Sequence, residues 1–333
     1  MGADVRGVMN NRRQLVIALG AAALAAPFGS FAQQPARVPR IGVLGAGSPS
    51  GWAPMVEALR AGLGDLGYVE GQNINIDYRW ADGQYDRLPE LVAELIRLKV
   101  DVIVSHATAG IGAAKRATTT IPIVMASIGD PVVSGLLTNL SRPGGNITGL
   151  SFFTSEIGGK RLELLKEAVP NIKRVVVIWD RSLPRDFTVP MEAAGRLTKI
   201  AVEFIDVDSA DRLESSFAAL EKRRVRGVVI RETPMFISNA KLVGAIASKH
   251  RIAAIGFKEV AEGGGLIGYG ADIPAMWRRA ATFIDKILKG AKPGDLPVEQ
   301  ATKFDLIVNK KTANALGIKI PNSILVRADK VIE

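Results

Sequence analysis

The chain has 333 residues, 47% of them hydrophobic and 23% charged, with a formal charge of +10 and no cysteine. That length exceeds one small core and suits two lobes of ordinary domain size, and the composition excludes a disordered or low-complexity chain. The absence of cysteine excludes disulfides, thiol nucleophiles, thiolate metal sites and lipid attachment through an N-terminal cysteine.

Segment 1–32 reads as an export signal. Arg12 and Arg13 precede an apolar, alanine-rich run, and Ser30-Phe31-Ala32 resembles a small-residue cleavage site, so cleavage is expected near Ala32. The run is shorter than the ~20 apolar residues of a membrane span, and the paired arginines fit either an ordinary or a twin-arginine route. The protein is therefore expected to be free in a periplasm.

From residue 38 onward, β-branched runs alternate with amphipathic stretches. Strands are expected at 38–44, 74–80, 100–105, 121–126 and 147–152. Between them lie helices such as 54–66, with Met55, Leu59, Leu63 and Leu66 on one face, and 88–98. After the break Arg142-Pro143-Gly144-Gly145-Asn146 the rhythm restarts. A helix at 155–169 leads into strands at 174–179, 202–207, 227–231 and 253–257, with helices at 211–223 and 238–250.

A second break, Glu262-Gly263-Gly264-Gly265, precedes a strand at 266–269 and a helix at 273–289, whose Ile273, Trp277, Ala280, Ile284 and Ile287 share a face. A strand at 304–308 and a short helix end the chain. This is the rhythm of doubly wound parallel sheets, and the fold class expected is α/β with two such lobes. The divisions are a first lobe from 38 to 148, a second from 152 to 265, a return to the first at 270–300, and a third crossing with the C-terminal segment at 304–333. Gly144, Gly145 and Gly149 are expected to serve a hinge beside these crossings.

The basic run Lys222-Arg223-Arg224-Val225-Arg226 has no interleaved aromatic residue and reads as a solvated helix end, which argues against nucleic acid as a partner. Gly45-Ala46-Gly47-Ser48-Pro49-Ser50 is a dinucleotide fingerprint broken at its third glycine, so no cofactor is expected. Neither a nucleophile elbow, an H-E-x-x-H helix nor a carboxylate-rich metal loop appears, so no catalytic or metal residue is assigned.

Five stretches carry a resemblance: "RIGVLGAGSPSGW", "GLGDLGYVEGQNINIDYRWADG", "GDPVVSGLLTNLSRPGGNITGLSF", "GKRLELLKEAVPNIKRVVVIWD" and "ATKFDLIVNKKTANALGIKIPNSILVRADKVIE". The sequence resembles periplasmic solute-binding proteins of ABC transporters, in the group that includes tryptophan- and tyrosine-type binding proteins. The resemblance implies a type I periplasmic binding fold, with two lobes joined by three crossing segments and closing on a small molecule. It also implies a monomeric receptor with a permease partner in the inner membrane. A ligand-sensing protein feeding a membrane sensor, or a secreted enzyme using the same cleft, are the other readings.

In open α/β sheets ligands sit beyond the carboxyl ends of the strands. That rule nominates the loops 45–52, 105–108 and 126–130 in the first lobe and 179–185, 231–233 and 256–258 in the second. Ser48 and Ser50 are expected to hold a carboxylate, and Trp52 to stack on a ligand ring or pack in the core. Ser105, Thr108 and Ser127 offer hydroxyls, and Asp130 either caps a helix or meets an ammonium group. Across the cleft, Asp180 and Glu232 are expected to receive an amine or hydroxyl, and Arg181 or Arg185 an acid group. Phe153, Phe257 and Tyr269 are expected to enclose an apolar body. The ligand expected is a small organic carboxylate, either an amino acid or an aromatic acid.

Overall fold

Each β-branched run pairs with runs of its own half of the sequence, which gives two sheets. A computed structural model describes residues 37–152, 154–180 and 188–333. The expected export segment, Phe153, Arg181 and Arg185 lie outside the described residues.

The first sheet contains, among the described residues, β1 (Arg40–Gly45), β2 (Asn75–Trp80), β3 (Val102–His106), β4 (Ile123–Ile128), β5 (Ile147–Ser151) and β11 (Glu299–Gln300). Its order is β11-β5-β4-β3-β1-β2, all parallel. The second contains β6 (Arg174–Trp179), β7 (Ala201–Asp206), β8 (Gly227–Ile230), β9 (Ala253–Gly256), β10 (Ile267–Ala271), β12 (Phe304–Asn309) and β13 (Lys330–Ile332). Its order is β13-β12-β10-β9-β8-β6-β7, and only the β10–β12 pair among these is antiparallel. The order 2-1-3-4-5 therefore occurs twice, as β2-β1-β3-β4-β5 and as β7-β6-β8-β9-β10. Each sheet has a switch point, between β1 and β3 in one and between β6 and β8 in the other, where adjacent loops diverge and leave a crevice.

Helices cover both sheets: α1 (Pro49–Asp65), α2 (Leu88–Arg97), α3 (Ala107–Ala117), α4 (Thr154–Ala168), α5 (Thr188–Thr198), α6 (Leu213–Lys222), α7 (Pro234–Ser238), α8 (Ala240–Lys249), α9 (Lys258–Glu262), α10 (Ile273–Leu288), α11 (Lys310–Leu316) and α12 (Asn322–Leu325). Helix α1 starts five residues before its expected position. Ser48 caps it by accepting from the Gly51 N–H, Pro49 occupies the first turn, and Pro54 is carried inside the helix. Met55, Leu59 and Leu63 are buried as their spacing predicts, but Leu66 lies past the helix end and is 38% exposed. All five apolar positions expected on α10 are buried, and α10 packs with α1 over the first sheet.

The chain passes from first sheet to second after Ser151, back between Ala271 and Ile273, and forward again between Gln300 and Phe304. The expected placement of Gly144 and Gly145 beside a crossing is corrected by the structure. Gly144 and Gly145 precede β5, at the end opposite the crossing, where the Gly144 N–H donates to Gly294 O. Gly149 has φ 134° at the register shift between β4 and β5, and a side chain there would collide with the Met125 backbone. The run Gly263-Gly264-Gly265 likewise precedes β10, packed against α8 and Val260. Gly144 and Gly145 supply the left-handed φ angles of 66° and 61° at the entry to β5, while Gly149 and Gly263 to Gly265 serve close backbone packing. Among the described residues no helix is long and apolar enough to cross a membrane.

Candidate functional site

The carboxyl ends of β3 and β4 meet those of β8 across the crevice between the sheets, and a cavity lies there. Its empty space, counted out to the open mouth, is about 550 Å³. The first lobe contributes Trp52, His106, Thr108 and Ser127, and the second Arg231, Glu232, Pro234 and Ile237. Phe152 and Ile273, one on each of two crossing segments, close its inner end.

On the first-lobe side, β3 and β4 slip register between Ser105 and His106, and Ala107 adopts φ 58°, a left-handed conformation that costs an alanine of order 1 kcal/mol or more. This turn starts α3 at the cavity wall. His106 occupies the N-cap position without a side-chain capping bond, so the first N–H groups of α3, around Thr108, face the cavity uncapped. The His106 ring is fully buried, stacked on Trp52 with 3.5 Å between centroids and tilted against Trp277 at 5.6 Å. Its Nε2 accepts from the Ala46 N–H at 3.1 Å, and burial pushes its pKa down to about 3, so the ring is neutral. The indole N–H of Trp277 donates to Ser127 Oγ at 3.1 Å, which leaves the Ser127 hydroxyl proton for another acceptor.

On the second-lobe side, Arg161 reaches from α4 under the ends of β8 and β10. Its Nε donates to Tyr269 O at 2.8 Å and its Nη1 to Ile230 O at 3.1 Å, while Nη1 and Nη2 together grip the Glu232 carboxylate. Both side chains are only 2% exposed, so this is a fully desolvated, bidentate pair. Gly270 leaves the room for it, since a side chain there would meet Glu232 Oε1 at 3.0 Å and Arg161 Nη2 at 3.1 Å. Arg231 is also buried, with its guanidinium 5.3 Å from the centre of the Trp179 ring. Burial draws its pKa down to about 10, which leaves it cationic at neutral pH.

Of the residues nominated from sequence, the fold brings Trp52, Thr108, Ser127 and Glu232 together in this cavity. The other nominated residues that are described lie elsewhere. Ser48 and Ser50 line a separate open recess at the outer lip, and the Ser48 hydroxyl is committed to capping α1. Ser105 points away from the cavity and donates to Leu44 O at 3.0 Å. Asp130 accepts from the Val132 and Val133 N–H groups at 2.9 and 3.0 Å, the capping alternative of the two expected. Asp180 accepts from the Tyr85 hydroxyl at 3.1 Å, a bond across the crevice. Phe257 packs in the core beneath the second sheet, and the Tyr269 ring stacks on Phe304 with centroids 6.0 Å apart.

Sequence reasoning missed Arg161, which lies mid-helix and far from any strand end. It included His106 and Arg231 only as members of the loops 105–108 and 231–233, without a role. Among the described residues no group of three or more His, Asp or Glu side chains is placed to hold a metal ion.

A family model described as ABC transporter substrate binding protein matches residues 41–332. A tyrosine-binding protein of Clostridioides difficile (strain R20291) is 27% identical over 260 residues, covering 77% of this chain and 74% of that one. The crystal structure of a conserved domain protein from Vibrio cholerae superposes with a TM-score of 0.82 at 26% identity, covering 89% of this chain and all of that one. A structure from Streptococcus pneumoniae, described as an ABC domain in complex with L-Trp, gives a TM-score of 0.80 at 27% identity, covering 88% and 99%.

Proposed function

Since the chain belongs to the family of ABC transporter substrate-binding proteins, we propose that it is an exported receptor for a small organic carboxylate, of amino-acid or aromatic-acid class. In this reading it delivers that ligand to an inner-membrane permease and performs no chemistry of its own. The observation that carries the ligand class is the uncapped first turn of α3, set beside the Ser127 hydroxyl with Arg231 in the wall from the other lobe. Backbone N–H groups at a helix start, a hydroxyl donor and the positive charge of a nearby guanidinium together favour an anion such as a carboxylate. Trp52, Phe152, Pro234, Ile237 and Ile273 supply apolar walls for an uncharged body. The names of the similar proteins point the same way, to tyrosine in one and L-Trp in another.

Because the cavity draws its walls from both sheets, a ligand in it favours the arrangement in which the lobes are together. That shape difference is what a permease reads in this proposal. A thermal-shift and calorimetric screen of the purified protein against L-tryptophan, L-tyrosine, indole-3-propionate, glucose and putrescine tests it. A saturable rise with the acids is expected, through linkage of binding to stability. A rise with the sugar or polyamine alone, or with none, overturns it.

A further inference from the structure

The two nitrogens of His106 are not equivalent. Nε2 accepts from the Ala46 N–H at 3.1 Å, so in the neutral ring Nδ1 carries the proton. That Nδ1–H is buried and has no acceptor among the described residues. Buried donors without an acceptor are rare in folded proteins and call for a reason. Neither packing nor the Ala46 bond provides it: stacking on Trp52 needs only a flat ring, and accepting from Ala46 uses Nε2 alone. The residue lines the cavity and immediately precedes the uncapped α3.

We infer that the Nδ1–H of His106 is a ligand-reading donor, which bonds to an oxygen of the ligand's carboxylate at the α3 N-terminus. This inference rests on the receptor reading above and adds the residue that selects for the acid group. The chain of contacts is rigid. Ala46 fixes the tautomer, Trp52 and Trp277 fix the ring plane, and the Ser127 hydroxyl stands beside it as a second donor. A ligand with the same ring but no carboxylate leaves both donors unsatisfied, so the site rejects it.

The test is a double comparison by calorimetry. L-Tryptophan and L-tyrosine are titrated alongside tryptamine and tyramine, which keep ring and amine but lack the carboxylate, into wild type and His106→Phe. His106→Phe is expected to weaken the acids about ten- to hundredfold and to leave the amines as weak as before. The ¹⁵N resonance of Nδ1 in wild type is expected to move on saturation with the acid. Equal loss for acids and amines, no loss for either, or an unmoved Nδ1 resonance overturns the inference and leaves the receptor reading standing. Should wild type bind neither these acids nor indole-3-propionate, both fall together. The resonance is read on wild type, so the outcome does not depend on the variant folding.

Discussion

Gly51 of the first lobe and Ser238 of the second approach so closely that a methyl group on Gly51 would lie 2.6 Å from Ser238 Cα. The contact sits at the lip of the crevice, where the Ser48 N–H also meets Ser238 Oγ at 3.4 Å. Gly47, in the loop that leads into α1, is hemmed in by Trp52 and by Ser238 Oγ. One lobe thus seats on the other at Gly47 and Gly51, and α7, which carries Ser238, also carries the cavity residues Pro234 and Ile237.

Gly51→Val is therefore expected to prop the crevice open without harming either core. Small-angle scattering of the variant with saturating L-tryptophan should give a larger radius of gyration than wild type, and affinity should fall at least about tenfold, the equivalent of 1.4 kcal/mol. Gly64→Ala on the same helix has nothing within 4 Å of the added methyl and serves as the control. It should bind normally and gain about 0.5–1 kcal/mol from better helix propensity. Wild-type compaction and affinity in Gly51→Val would refute the clasp.

The Arg161–Glu232 pair leads to a prediction about stability. Glu232→Gln keeps the shape but leaves a buried guanidinium without its counter-charge, which costs about 3–5 kcal/mol. Urea denaturation should show the midpoint fall, and the double variant Arg161→Met, Glu232→Gln should recover much of the loss. A variant as stable as wild type would mean that the pair carries no such load.

Ser127 is the acceptor for the Trp277 indole N–H at 3.1 Å, in a buried site. Ser127→Ala orphans that donor, so a loss of about 1–3 kcal/mol in stability is expected even without ligand. Ligand affinity should drop as well. A loss of affinity at unchanged stability would show that the indole finds another acceptor.

The two histidines predict opposite responses to pH. Burial holds His106 near a pKa of about 3, against an ordinary value of 6.5. The unfolded chain therefore takes up a proton that the folded one refuses, and stability should fall by about 1.4 kcal/mol per pH unit as pH drops below the ordinary value. His250 has a raised pKa because Glu221, and then Glu214, accept from its ring against the opposing effect of burial. Its contribution is present below the ordinary value and is lost as pH climbs through the raised one. Denaturation from pH 5 to 9 should show a flattened acid limb in His106→Phe. In His250→Gln the deficit should be larger at pH 6 than at pH 9.

Much of the architecture was legible in the sequence because strands and helices here are set by local periodicity. The five apolar positions of α10 are spaced to share one face, and they are buried. The β-branched runs announced the strands, and the strand-end rule pointed to loops that do line the cavity, including those of Thr108, Ser127 and Glu232. Local signals misled where a residue's task lies across space. Pro54 hid the true start of α1, Leu66 fell outside its helix, and the glycines before β5 and β10 lie at the far ends of strands whose other ends make the crossings.

By itself the sequence determined the alternation of elements, the doubly wound class and the set of loops at strand ends, since each follows from side-chain pattern within a few residues. Only the tertiary structure decided which of those loops share a cavity, and what each polar group is already bonded to. Ser105 and Ser127 are both serines at strand ends, yet one donates to Leu44 O and the other accepts from Trp277, 150 positions away. The tautomer of His106 depends on Ala46, 60 positions earlier, and Glu232 depends on Arg161, 71 positions earlier. Hydrogen-bond partnership and desolvation belong to the packed interior, and short-range pattern does not encode them.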